Sequence, residues 1–275
     1  GRVTGMPVQI SHLKLAMASL WGRADEIIAR LNAARAEGVD LTADIYPYTY
    51  WQSQMMVLLP QRDPLDLDAI DFVMAELAPP DGIIFTHFPA NPDYVGMTLT
   101  EVAASREEPP TEAFSALAQM SIAYEAATGD TGDMMIGTSM RDDDVAAFIA
   151  WPHSNICTDG DLRDRHPRGA GSFPRVLDRY VHEQGVLSLE GAIHRMTGLS
   201  AQHMGFVERG VIAPEMMADL VLFNPDTVRD RATTGEPSAH SEGIHSVWVA
   251  GERVLHEGEV SKTFPGRVIR RASAQ

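Results

Sequence analysis

The sequence predicts an α/β fold of the (β/α)-barrel kind followed by a small β appendage. Three observations carry that expectation. Short apolar runs alternate with stretches of helical periodicity, residues suited to chemistry fall just after several of those runs, and the segment from residue 209 onward changes to short β-rich runs separated by turn residues. The expected division is therefore 1–208 for the catalytic domain and 209–275 for the β-rich segment.

Residues 8–11 are a short apolar run and read as a strand, and residues 24–36 place Ile27, Ile28 and Leu31 at helical spacing before Gly38. Residues 41–46 form a second strand closed by Pro47, and strand, helix, strand in this order suggests a parallel sheet. The alternation continues with helices over 66–78, 98–104, 111–126 and 142–149 and strands over 82–87, 134–136 and 155–158. A polar loop over 160–171 precedes two helices near 173–184 and 188–197. In the tail, runs over 219–223, 246–249 and 252–255 read as strands, with a hairpin turn at Ala250-Gly251-Glu252.

With 275 residues, 44% of them hydrophobic and 22% charged, the chain can bury a sizeable core. A net charge of -16 argues against binding to nucleic-acid phosphates, which needs clustered Lys and Arg. The same acidity gives weight to the few cations beside candidate catalytic groups, Lys14 and Arg168. The single Cys157 excludes an intrachain disulfide and a Cys cluster for metal, in keeping with a reducing, cytoplasmic setting, and no apolar stretch is long enough to cross a membrane. Residues 1–7 lack an initiator Met and lead directly into a core strand, so the chain is expected to begin inside a larger protein.

His12 follows the first strand, where a barrel points side chains into its mouth; imidazole there serves as a metal ligand or as a hydrogen-bonded loop group. Lys14, two residues on, offers a cation for a carboxylate or a solvated side chain. Asp159 ends the strand at Cys157-Thr158-Asp159-Gly160, as a proton-transfer carboxylate or as the first residue of a turn. Arg168 suits bidentate capture of a carboxylate, or pairs with Asp161 or Asp164 at the surface. Tyr46 and Tyr48 offer phenols at another strand end, and Trp51, Met55 and Met56 make an apolar patch that is core or substrate pocket. His87 and the remaining histidines are expected to be structural, and Cys157 a buried strand residue.

Together, the segments from Gln9 to Lys14 and from Asp44 to Tyr48, Thr158-Asp159-Gly160, His166-Pro167-Arg168 and the run from Phe173 to Leu177 resemble the D-aminoacylase, or N-acyl-D-amino-acid deacylase, branch of the amidohydrolase superfamily. The stretches Arg209 to Pro214, Ala218 to Val221 and Pro265 to Val268 agree with it. The resemblance implies a barrel of the amidohydrolase type and zinc-dependent hydrolysis of an N-acyl-D-amino acid to a carboxylate and a free D-amino acid. It implies His12 as a metal ligand, Asp159 as catalytic acid and base, and Lys14 and Arg168 on the substrate α-carboxylate, with Tyr46 or Tyr48 assisting Lys14.

The family's His-x-His motif, ligand cysteine and further ligand histidine have no counterpart here, and the first barrel strands and half of the β-sandwich are expected to be missing with them. The competing readings are a cyclic-amide hydrolase of the hydantoinase or dihydroorotase kind and a non-catalytic fragment. Because residues 49–60 contain neither Lys nor Arg up to Pro60, the expected substrate side chain is apolar.

Overall fold

The computed structural model describes residues 1–160 and 165–270. In chain order its elements are strand β1 (Val8–Ile10), helix α1 (Ala24–Ala36), strands β2 (Leu41–Ile45) and β3 (Tyr50–Ser53), helix α2 (Leu67–Phe72), strand β4 (Ile83–His87), helices α3 (Leu99–Ser105) and α4 (Pro110–Thr128), strand β5 (Met134–Thr138), helix α5 (Asp142–Ala150), strand β6 (Ser154–Ile156), helices α6 (Arg168–Arg175), α7 (Leu189–Met196) and α8 (Gly198–Met204), and strands β7 (Leu220–Phe223), β8 (Ile244–Val249), β9 (Glu252–His256) and β10 (Glu259–Val260).

The βαβ unit read from the sequence is present. β1 pairs in parallel with β2, Val8 beside Leu41, and β6 pairs in parallel with the other side of β2, Asp44 beside Asn155. The period of two in β2 buries Leu41, Ala43 and Ile45 and leaves Thr42 and Asp44 half-buried. On the polar face, Gln9 donates to Asp44 at 2.9 Å and Thr42 donates to Gln9, joining neighbouring strands through their side chains.

Two expected barrel strands lie elsewhere. β4 and β5 do not extend the parallel sheet; β5 pairs antiparallel with both β4 and β3 in a second sheet. An apolar run specifies burial and not the direction of its partner, so the sequence did not distinguish these strands from barrel strands. Among the described residues the parallel sheet stays open, three strands wide, and no closed barrel forms.

The register of the second sheet explains a glycine. Trp51 on β3 stands opposite Gly137 on β5, and a Cβ at Gly137 would come within 2.3 Å of the indole. This sheet has its own core, formed by Trp51, Met55, Phe85, Phe114, Leu117 and Met135 among others, between strands and helices α2 to α4. Helix α3 opens with a capping box in which Thr98 and Glu101 exchange hydrogen bonds.

The other core, under the parallel sheet, contains Ala43, Ile45, Tyr48, Phe148, Val176 and Tyr180, with Ile27, Ile28 and Leu31 of α1 packed against it. The tail forms a four-stranded antiparallel sheet in the order β10-β9-β8-β7, with the hairpin turn at Ala250 and Gly251, both at positive φ. It is not separate in packing. Between β7 and β8 the chain returns to the first core, burying Val228 completely and bringing Asp230 against Tyr48.

Candidate active site

Because β1, β2 and β6 run parallel, the residues just past them gather at one sheet end: His12 and Lys14 after β1, Tyr46 after β2, and Cys157 and Asp159 after β6. Lys14 Nζ lies 4.9 Å and Arg168 Cζ 4.8 Å from the centre of the Tyr46 ring. Arg168 Nη1 pairs with Asp159 Oδ2 at 2.6 Å. Four of the residues singled out from the sequence thus form one cluster. Arg168 is 8% exposed; Asp161 and Asp164, its other considered partners, lie outside the described residues.

Burial sets the electrostatics of this cluster. It pushes Lys14 down to about 8, with Asp159 opposing the shift and Arg168 adding to it. It pushes the Tyr46 phenol upward, against the pull of Arg168. The Tyr46 hydroxyl is buried and has no partner of ordinary hydrogen-bond geometry among the described residues. Asp159 is held at φ 49°, a left-handed conformation uncommon outside glycine and frequent at functional sites.

His12 is exposed and also left-handed, at φ 40°, with its backbone N–H donating to Asp44 Oδ1 at 2.7 Å. Cys157, beside Asp44, has its thiol pushed up by burial and by that carboxylate. No group of three or more His, Cys, Asp or Glu side chains among the described residues is arranged to hold a metal ion. A catalytic zinc takes three protein ligands, so the residues present do not fit a complete zinc site.

Of the two tyrosines that the sequence offers beside Lys14, Tyr48 is turned to the core. It is fully buried, and its hydroxyl donates to Asp230 Oδ2 at 2.7 Å. Arg175 lies over its ring at 4.6 Å, reaches Asp230 at 3.5 Å and donates from Nε to the Pro47 carbonyl at 2.7 Å. A Cβ at Gly171 would stand 2.2 Å from both the Tyr48 hydroxyl and Asp230 Oδ1, so glycine leaves the room for this bond. Of the two tyrosines, Tyr46 is the one beside Lys14.

Asp159 and Arg168 open onto a cleft of about 800 Å³, whose other walls include Gln52, His87, Tyr124 and Met134. His87, expected to be structural, therefore faces the cleft, with Nε2 3.2 Å from the Thr131 carbonyl. Its place directly after an apolar strand was the available signal. Of the two readings of the apolar patch, the structure shows core: Trp51 and Met55 are buried in the second core and Met56 packs against it. His166, for which the sequence analysis has no separate role, is 1% exposed and sits among Tyr46, Tyr48 and Tyr50 at 6.0, 5.5 and 4.8 Å.

Residues 124–255 match the amidohydrolase family. The N-acyl-D-glutamate deacylase of Alcaligenes xylosoxydans xylosoxydans is 34% identical over 98% of this chain and 50% of its own length. A crystal structure of D-aminoacylase superposes with a TM-score of 0.82 at 32% identity, covering 98% of this chain and 51% of that one. The N-acyl-D-glutamate deacylase of Bordetella bronchiseptica, solved with zinc and a phosphonate mimic of the tetrahedral intermediate, superposes with a TM-score of 0.79 at 36% identity, covering 99% and 51%. The chain thus spans about half the length of the curated relatives it matches. The likeness to these deacylases runs along nearly the whole of this chain, and residues 124–255 within it are similar to the amidohydrolase family.

Proposed function

We propose that the protein hydrolyses the amide of N-acyl-D-amino acids, releasing a carboxylate and a free D-amino acid. The observation that carries this reading is the convergence of two cations, Lys14 and Arg168, on Tyr46 directly beside the Asp159 carboxylate. Paired cations with a phenol proton suit a substrate α-carboxylate, and a carboxylate next to them suits proton transfer at the neighbouring amide.

In this reading Lys14 and Arg168 hold the α-carboxylate and the Tyr46 hydroxyl donates to it. Asp159 takes the proton of the attacking water and delivers it to the leaving nitrogen. Arg168 passes from Asp159 toward the substrate as it binds, which frees the Asp159 oxygen for the water. His12 supplies one imidazole at the same sheet end, not the set of donors a zinc ion takes, and no step here runs through a metal. The substrate side chain meets the wall carrying Gln52 and His87, which favours a polar side chain over the apolar one expected from the sequence.

A panel of N-acetyl-D-amino acids and cyclic amides, assayed on the intact protein with and without added zinc, tests the assignment. Turnover of the linear D-substrates, lost on the order of 10²-fold or more in D159N, is the expected result. Turnover confined to cyclic amides, or full activity in D159N, would overturn it.

A further inference from the structure

The geometry points to His166 as a positioning residue: a neutral imidazole that fixes the backbone of Arg168 to strand β3 and so holds the guanidinium over Tyr46. The backbone N–H of Arg168 donates to His166 Nδ1 at 3.0 Å, so Nδ1 is the bare nitrogen and Nε2 carries the proton. That proton faces the Tyr50 carbonyl at 2.9 Å. One ring thus connects the start of α6, where Arg168 sits, to the start of β3, in the sheet that supplies Gln52 to the cleft.

The surroundings keep the ring neutral and still. His166 is enclosed by three tyrosine rings, and burial lowers it to about 3, with the Arg168 and Lys14 charges in support. A charged imidazole would carry a proton at Nδ1 and could not accept from Arg168. Lysine or arginine would bring a charge into the tyrosine cage, and a smaller residue would take away the acceptor that the buried Arg168 N–H uses. The imidazole supplies an acceptor and a donor at the two separations these partners need. Of the amide side chains, Asn reproduces the position of Nδ1 and Gln that of Nε2, which allows the two bonds to be tested apart.

The kinetic arm of the test rests on the proposed deacylase reading; the spectroscopic arm does not. In the intact protein, H166Q is expected to raise KM for an N-acetyl-D-amino acid about tenfold, the loss of one buried hydrogen bond, with kcat little changed. The Arg168 Nε–H resonance in ¹H–¹⁵N spectra, assigned by its loss in R168K, is expected to shift or broaden in H166Q. H166N is expected to restore most of both, because it keeps an acceptor for the Arg168 N–H. Equal behaviour of H166Q and H166N, or an unmoved Arg168 resonance in H166Q, would overturn the assignment. Should H166Q fail to fold, H166N decides alone, and loss of its Arg168 resonance would overturn the assignment. If the wild-type protein hydrolyses none of the panel, the deacylase reading falls and the resonances still judge His166.

Discussion

Replacing Tyr48 by Phe tests how the cluster is supported without reference to any substrate. The substitution removes a buried hydroxyl that donates to Asp230 at 2.7 Å and leaves the ring in place beneath Arg175 and against His166. No cavity larger than one oxygen is made, so the loss is essentially one hydrogen bond to a carboxylate, about 2 kcal/mol. Asp230 keeps the Ala232 N–H at 2.9 Å and the longer contact with Arg175, which limits the loss to that size. For a chain of this length about 2 kcal/mol lowers the melting temperature by roughly 4–8 °C. Urea unfolding followed by circular dichroism should show a lower midpoint with an unchanged slope. In a double-mutant cycle with D230N, Tyr48 and Asp230 should couple by more than about 0.5 kcal/mol, the margin that separates interacting from independent sites. A Y48F protein within about 0.5 kcal/mol of wild type, or additive behaviour in the cycle, would refute the reasoning.

Lys14 gives a pH dependence. Its folded value of about 8 lies below the ordinary 10.5, so it is charged below pH 8 and neutral above, and KM for a carboxylate substrate should rise as pH passes through about 8. K14R, charged throughout, should lose that rise; a pH-independent KM in wild type would exclude Lys14 from the carboxylate. For the same group the unfolded chain binds more protons between pH 8 and 10.5, so its contribution to stability increases across that window. G171A should destabilise at least as much as Y48F, since its Cβ would displace both the Tyr48 hydroxyl and Asp230, and thermal melts compare the two. G137A should cost about 1–3 kcal/mol by pressing on Trp51, measured by the same unfolding experiment. Q52L should shift kcat/KM away from polar and toward apolar N-acetyl-D-amino acids; an unchanged ranking would remove Gln52 from the side-chain wall.

The parts of the fold legible in the sequence are those fixed by local pattern. The period of two in residues 41–45, the apolar spacing of α1 and the turn at Ala250-Gly251 each correspond to an observed element. Sheet membership was not legible, because Ile83, Phe85 and Met135 are as apolar as barrel strand residues and differ only in what lies across from them. β3 is not legible because Trp51 reads with Met55 and Met56 as one apolar patch, and only the pairing of Tyr50 with Thr138 and Trp51 with Gly137 makes this stretch a strand. In the candidate site, the signal that singled out Lys14, Tyr46 and Asp159 was their place just past a strand, and the structure brings them together with Arg168, which opens α6. The choice between Tyr46 and Tyr48 beside Lys14 was not legible, because the partner of Tyr48, Asp230, lies 182 residues away and no local signal reports a bond of that span. His166 was overlooked because its two partners are backbone atoms, which leave no trace in side-chain composition.

The path of the chain between β7 and β8 bears on how the protein can be cut and joined. Val228 and Asp230 belong by packing to the parallel-sheet unit, although they are reached only after a strand of the tail sheet. A shortened protein ending near residue 208 would expose the core that Val228 seals and leave Tyr48 and Arg175 without their carboxylate. A fusion point or protease site belongs instead at the exposed turn of Glu257 and Gly258, between β9 and β10, downstream of Val228 and Asp230. The helix that begins with Arg168 thus depends on a stretch of chain that a boundary drawn by composition would discard.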